Sequence, residues 1–399
     1  MNKPPCYLPP MRFLGPERRH HDRRKSASLS VRPTYARIDR SAIQHNIKTI
    51  AERLGNRIRM LAVVKANGYG HGAIEVADVC ALAGVWGFAV SLVEEGIELR
   101  RGGVTSPVLV LGGVYSGFED VIVHRNLTPV VWAYEHLQRL ASAVRRSGAR
   151  PLRIHLKIDS GMSRLGLLLD ELPAVMDFFA SEEGALLQLE GVMTHLACAD
   201  EPDDQVTPIQ LKVFREALGT LAARGLHPRF RHVCNSAGVV RYPGAYFDMV
   251  RPGVAIYGAA SRQAVELPGL RMAMSVHTRV LGVRELPQGS FVSYGHHARL
   301  SRASRLGIIP CGYADGYSQR MSGEAEVLVR GHRCSVVGDI TMDTLMIDLT
   351  DLPDPRAGER VTLLGPQGRQ RITIYDLAAW SGEIPHEIMC RISSRIPRR

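Results

Sequence analysis

Lysine, tyrosine, histidine and arginine recur just behind short apolar runs in this chain, and such side chains can form imines, move protons and hold anions. LAVVKANGYGHG sets Lys65 behind four apolar residues, with Tyr69 and three glycines beyond it. A lysine at the end of a buried strand loses hydration, which lowers its pKa and frees a neutral amine for Schiff-base chemistry. A lysine snorkelling to a rim would read the same way. HLKIDSGMSRLG gathers Lys157, Asp159 and Arg164 around a glycine turn, a pattern that a salt-bridged rim shares. GVMTHLACAD carries a lone His195. RHVCNSAG places Asn235 and Ser236 where a helix opens, and free N–H groups there can hold an anion. DMVRPGVAIYG supplies Arg251, with the backbone N–H groups of Gly253 and Val254 beside it. One lysine among anion-holding groups calls for a phosphorylated carbonyl cofactor with which it can condense, and pyridoxal phosphate fits.

These residues need a scaffold that brings many strand ends to one place. Eight apolar runs alternate with loops and amphipathic helices: residues 61–64, 86–90, 108–111, 128–132, 152–158, 189–193, 230–234 and 247–250. Strands buried on both faces read as unbroken apolar runs, and alternation with helices demands parallel crossovers. The expected fold is therefore α/β, a (β/α)8 TIM-type barrel with its active site at the C-terminal strand ends. An open doubly wound sheet is the runner-up, but its GxGxxG fingerprint is absent. Ser41 is expected to cap a first helix running through Arg53, with Ile43, Ile47, Ile50 and Leu54 on one face. After about residue 265 the texture changes to short strands between Gly and Pro, with one helix at Ile374–Ser381, which indicates a C-terminal, mainly β domain. The expected division is a tail over 1–32, a barrel over 33–265 and a β domain over 266–399, with residues 33–39 a candidate strand of the β domain.

The chain has 399 residues with 45% apolar and 22% charged side chains, which excludes wholesale disorder and coiled coil. No apolar stretch is long enough to span a membrane, and no secretory signal opens the chain. Seven cysteines without CxxC spacing argue against a disulfide framework or a metal cluster, and point to the cytoplasm. The net charge of +11 is concentrated in residues 1–32, where eight Lys/Arg face Glu17 and Asp22. The remainder is close to neutral, so nucleic acid is not an expected partner; RNA held by the tail would be lost with salt and with the tail.

The motifs VVKANGYGHG, KIDSGMSRLG, THLACAD, NSAG, VRPGVAIYG, VSYG, GYADGY and GDITMD, in this order over about 33–398, resemble those of the alanine racemases. The resemblance implies a homodimer with composite sites, racemising L- and D-alanine on pyridoxal phosphate to supply D-alanine for peptidoglycan. It makes Lys65 the Schiff-base lysine and the base on one face of the cofactor. Tyr294, in VSYG, becomes the second base, contributed by the other subunit to the opposite face. It sets Arg251 against the pyridine nitrogen with His195 orienting it, Arg164 at the phenolic oxygen, and Lys157 as a carbamylated lysine holding that arginine. Tyr69, Ser236, Gly253 and Val254 become phosphate contacts. Met342 and Asp343 fall on the substrate-carboxylate side, and Tyr313 at the mouth of the substrate channel.

Three departures from the family pattern stand out. His386 occupies the position of a phosphate-contacting tyrosine, and its charge would titrate near neutrality. Thr341 stands where cysteine is common before Met342, and Gly295-His296-His297 follows Tyr294. The last two lie on the substrate side, so a broader-specificity or serine racemase of the same fold is the alternative. Decarboxylases of related architecture carry a glycine-triplet phosphate loop that is missing here. Single-barrel cofactor carriers lack the β domain and hence a second base.

Overall fold

The computed structural model describes residues 32–399; all but the last residue of the expected tail lies outside them. Each of the eight apolar runs forms a parallel strand. The first spans Arg59–Val63, the second Gly87–Val90, the third Val108–Val110 and the fourth Thr128–Val131. Leu152–Lys157, Leu187–Met193, Phe230–His232 and Met249–Val250 follow as the fifth to eighth. The first seven pair in sequence order, and the eighth returns to the first through Arg59↔Met249 and Met60↔Val250. Only the seventh and eighth lack a ladder. Backbone bonds from Asp248 N to Arg231 O (3.1 Å) and Arg251 N to Cys234 O (2.9 Å) bridge that gap, so the barrel is nearly closed.

The first helix, Arg40–Leu54, buries Ile43, Ile47, Ile50 and Leu54 as its spacing predicts. Full burial of each such side chain contributes about 1.5–3 kcal/mol. Its cap is Asp39 rather than Ser41. The Asp39 carboxylate accepts Ala42 N at 3.1 Å, and the Ser41 hydroxyl donates to that same carboxylate. Both residue types cap helices, and the carboxylate wins because it takes both donors.

The β domain contains two larger sheets and a hairpin. Tyr35–Ile38 pairs antiparallel with Met274–Arg279, which continues through Arg360–Gln367 and Glu326–Val329 to His332–Ser335. The candidate strand within 33–39 therefore lies in this sheet. Gly282–Leu286, Ser304–Ile309 and Leu345–Asp348 form the second, so the continuous run from Ser275 to Val283 is divided between two strands in two sheets. Phe291–Val292 and Ala298–Arg299 form a hairpin around Tyr294. A second terminal helix, Pro385–Arg391, follows Ile374–Ser381 and carries His386. The chain end pairs beside Tyr35–Ile38, with Ala36 N bonded to Pro397 O and Ile38 N to Arg399 O. Among the described residues, no helix is long and apolar enough to cross a membrane.

Candidate active site

A cavity of about 360 Å³ opens at the C-terminal ends of the barrel strands, within the size range of small-molecule sites. Its lining includes Lys65, Tyr69, His195, Asn235, Ser236, Arg251, Gly253, Val254 and His386, residues that lie up to 321 positions apart in sequence (386 − 65). Leu111, Met162, Asp200, Ser261 and Ile384 also line it and were not singled out from sequence.

Lys65 is followed by a left-handed turn in which Ala66, Asn67, Gly68, Tyr69 and Gly70 all have positive φ, between 51° and 78°. Three of the five carry a Cβ, and each such residue costs roughly 1–2 kcal/mol in this conformation. Surrounding bonds hold the turn. Ala73 N donates to Asn67 Oδ1 at 2.9 Å, and Arg398 Nε donates to Gly70 O at 2.9 Å. A Cβ on Gly70 would lie 2.3 Å from Met389 O, so the last helix packs directly on it. Burial, and then Arg164, lower the Lys65 pKa, whereas Glu95 and Cys390 act the other way.

The anion-holding groups share the cavity lining and bond to one another. Asn235 caps the helix Ser236–Arg241 through Gly238 N, and Ser236 Oγ accepts the N–H groups of Gly253 (3.0 Å) and Ala255 (3.3 Å). Only glycine fits at 253, since a Cβ there would lie 2.5 Å from Tyr69 Oη. Tyr69 lies tilted against Tyr257 and His386, at ring separations of 4.9 and 5.9 Å. His386 Nδ1 is buried without a partner, and burial followed by Lys65 holds its pKa below the usual value. A neutral imidazole with an unmet nitrogen, a serine hydroxyl and a phenol converge where a phosphate would sit.

Arg251 is buried on the cavity floor and is saturated at its two terminal nitrogens. Nη1 donates to His232 Nδ1 (2.7 Å) and His232 O (2.9 Å); Nη2 donates to Thr194 O (2.7 Å) and Val233 O (2.9 Å). His195, expected to orient Arg251, is farther off at 3.4 Å. The closer partner is His232, which sequence reading passed over as part of an apolar run. His232 Nε2 lies 2.7 Å from His155 Nδ1, and His155 Nε2 stands 3.5 Å from Glu190 Oε2. Arginine only donates, so His232 Nδ1 accepts and its proton lies on Nε2. The same logic puts the His155 proton on Nε2, toward the Glu190 carboxylate. Burial favours neutral imidazoles at both histidines. Burial also brings the Arg251 guanidinium down to about 10, so it remains a cation at neutral pH. For Glu190, burial pushes upward, but His155, Arg153 and Arg229 hold its carboxyl below the ordinary range.

Arg164 and Lys157 are not part of the cavity lining, but the charges of Arg164, Arg251 and Lys65 reach Lys157. Asp159 Oδ1 accepts Gly161 N, Met162 N and Ser163 N, which shapes the turn leading to Arg164. Lys157 is buried, and burial, Arg164 and Arg251 bring its pKa down to about 8. Gln210 holds the loop behind His195, donating to His195 O (2.9 Å) and accepting Ala197 N (2.8 Å).

Tyr294, Tyr313, Met342 and Asp343 do not line the cavity. Tyr313 N bonds to Thr341 O, Ala314 N to Met342 O, and Asp343 pairs with Arg395 at 2.6 Å. Ser293 Oγ donates to Asp339 O, which brings the Tyr294 turn beside this segment. The three apolar members are open to solvent: Tyr294 is 73% exposed, Met342 52% and Tyr313 43%. One chain thus carries two incomplete sets of candidate residues, a buried one in the barrel and an exposed one in the β domain.

The alanine racemase N-terminal domain family matches residues 38–261, and the C-terminal domain family matches 273–399. The chain belongs to the alanine racemase family. Its relatives are isomerases. An alanine racemase from Symbiobacterium thermophilum is 43% identical, over 92% of this chain and 97% of its own. The crystal structure of the alanine racemase of Streptomyces lavendulae superposes with a TM-score of 0.88 at 34% identity, covering 92% of this chain and 96% of that one. The alanine racemase of Bartonella henselae, whose structure holds covalently bound pyridoxal phosphate, matches with a TM-score of 0.83 at 28% identity, covering 92% and 99%. As a family member, this protein is an amino-acid racemase built on a TIM-type barrel with a mainly β C-terminal domain.

Proposed function

We propose that the protein interconverts L- and D-alanine on pyridoxal phosphate held in the barrel cavity, as a homodimer in which each cavity is completed by the β domain of a second copy. The observation that carries this reading is the split just described: Lys65 and the anion-holding groups share one cavity, while Tyr294, Met342 and Tyr313 stand exposed elsewhere on the same chain. Pyridoxal phosphate, when bound, draws electrons from the substrate Cα and so acidifies its proton.

The residues fit that group. Lys65 supplies the amine that condenses with its aldehyde; Tyr69, Ser236, Gly253, Val254 and His386, beside the Asn235-capped helix, would hold its phosphate. Arg251, with both Nη atoms committed, would have Nε left for the ring nitrogen. It would offer a hydrogen bond there without surrendering its proton, which would limit electron withdrawal and disfavour reactions such as transamination. Arg164 would hold the phenolic oxygen. Lys157, already weakly basic among cations, would become a carbamate by adding carbon dioxide to its neutral amine and releasing one proton; the new negative charge would then hold Arg164.

Racemisation requires proton removal from one face and return on the other. Lys65 Nζ serves one face, and Tyr294 Oη of the second copy the opposite one. Met342, Asp343 and Tyr313 of that copy would border the substrate. The Thr341 hydroxyl is turned into its own turn, donating to Thr344 O and accepting Thr344 N, so it gives the serine alternative no support. Cys80, Cys198, Cys234, Cys334 and Cys390 are free thiols, in keeping with work in the cytoplasm supplying D-alanine for peptidoglycan.

Exchange of the Cα proton with solvent, followed separately from each enantiomer, tests the two faces. Tyr294→Phe should impair abstraction from one enantiomer far more than from the other. Equal loss from both would refute the assignment.

A further inference from the structure

Glu95 lies on the helix Val93–Arg101, which follows the second barrel strand, and no part of the motif reading touches it. Its carboxylate ties two active-site loops together. Oε1 accepts Ala66 N at 2.6 Å, the first peptide after Lys65. Oε2 accepts Ser91 N at 2.7 Å and Leu92 N at 3.0 Å, in the adjacent loop. Ala66 opens the left-handed run, where an L-residue is strained and persists only if its surroundings over-determine it. The other end of that run is tied by Asn67, Arg398 and the last helix; at the end nearest Lys65, Glu95 is the side chain that holds the backbone.

We propose that Glu95 is a positioning residue for Lys65: its carboxylate clamps the left-handed turn that aims the amine into the cavity, and holds a negative charge beside that amine. The inference rests on Lys65 being the imine-forming residue. A carboxylate suits the task where an amide does not. Three N–H groups converge on two oxygens, and glutamine would turn its NH2 against either Ala66 N or the Ser91–Leu92 pair. The charge matters as well: burial and the Arg164 cation lower the Lys65 pKa, and Glu95, with Cys390, opposes them. Lys157, His195 and His386 are the remaining titratable groups coupled to it.

The test uses the full chain stripped of cofactor, with two readouts: the pH midpoint for acylation of Lys65, located by peptide mapping, and the rate at which added pyridoxal phosphate is captured there. E95Q removes the charge, so its midpoint falls and acylation at a fixed pH below the midpoint rises several-fold. E95D keeps the charge but falls one methylene short of Ala66 N. Its midpoint stays as in the wild type while capture slows by about tenfold, the penalty of a misplaced reacting group. A purely structural role would leave both midpoints unmoved. Both variants matching the wild type in both readouts, or a raised midpoint in E95Q, would overturn the proposal. If the wild-type chain captures no pyridoxal phosphate at Lys65, the reading of function fails, while the acylation midpoints still report on Glu95.

Discussion

Gly191, in the middle of the sixth barrel strand, touches no candidate site residue directly, yet replacing it should be felt at Arg251. A Cβ there would lie 2.5 Å from both Cε1 and Nδ1 of His155 and 2.9 Å from Cγ. Ordinary contacts run at about 3.5–4 Å, so the ring must retreat by about 1 Å. The His155 Nδ1 to His232 Nε2 bond, now 2.7 Å, cannot survive that retreat. Overpacking of this kind costs about 1–3 kcal/mol, and the lost buried hydrogen bond adds about 1 kcal/mol. Gly191→Ala should therefore destabilise the full chain by about 2–4 kcal/mol, read as a shift of the denaturant midpoint. It should also weaken pyridoxal phosphate binding by about tenfold, because His232, the partner of Arg251, loses the bond that fixes its ring. Adding His155→Ala removes the ring and with it the clash, so the double variant should be less destabilised than the sum of the singles by at least about 1 kcal/mol. A Gly191→Ala chain within about 0.5 kcal/mol of wild type, or strict additivity in the double variant, would refute the idea that the glycine exists to admit this ring.

Two further outcomes follow from the charge states of the cavity. His386 is held below its usual pKa by burial and Lys65, so it is neutral at neutral pH; a bound phosphate dianion would raise it. Binding then takes up a proton, and affinity strengthens as pH falls from the bound-state toward the free-state pKa and levels off below it. Titration of the dissociation constant against pH for wild type and H386Y isolates this component from the ionisation of the phosphate itself, and coincident curves would rule it out. Lys157, at about 8, offers far more neutral amine near neutral pH than a free lysine. Labelled bicarbonate should give a carbamate carbonyl signal in carbon NMR that disappears in K157R, and its persistence there would place the carbamate elsewhere.

The barrel was legible because its strands are buried on both faces, so eight apolar runs stand out, and because the strand ends carry polar residues in a fixed order. The β domain was read less finely. The strands Phe291–Val292 and Ala298–Arg299 are two residues each, too short for any periodicity to register, and the sheet change at Val280 hides within a continuous run. The helix Pro385–Arg391 did leave a signal, a proline in its first turn, but it spans only seven residues. The site was legible where one segment supplies a whole motif, as around Lys65. It was not legible where partners come from different strands. His155 and His232 sit inside apolar runs on the fifth and seventh strands, and nothing in either segment reveals that their rings meet at 2.7 Å or that Gly191 makes room. The positive φ of Ala66, Asn67 and Tyr69 is equally a product of context, imposed by Glu95, Arg398 and the last helix on residues that would not choose it alone.

Mixing two inactive variants tests the composite site most directly. Chains carrying Lys65→Ala and chains carrying Tyr294→Phe are each expected to lose racemase activity as homodimers. In a heterodimer of the two, one site carries both substitutions and the other carries neither. Random pairing of equal amounts should restore about a quarter of the wild-type turnover, together with one intact pyridoxal phosphate site per heterodimer. Heterodimers that remain as inactive as the parents would show that the lysine and the tyrosine serve a site within a single chain, and would contradict the account.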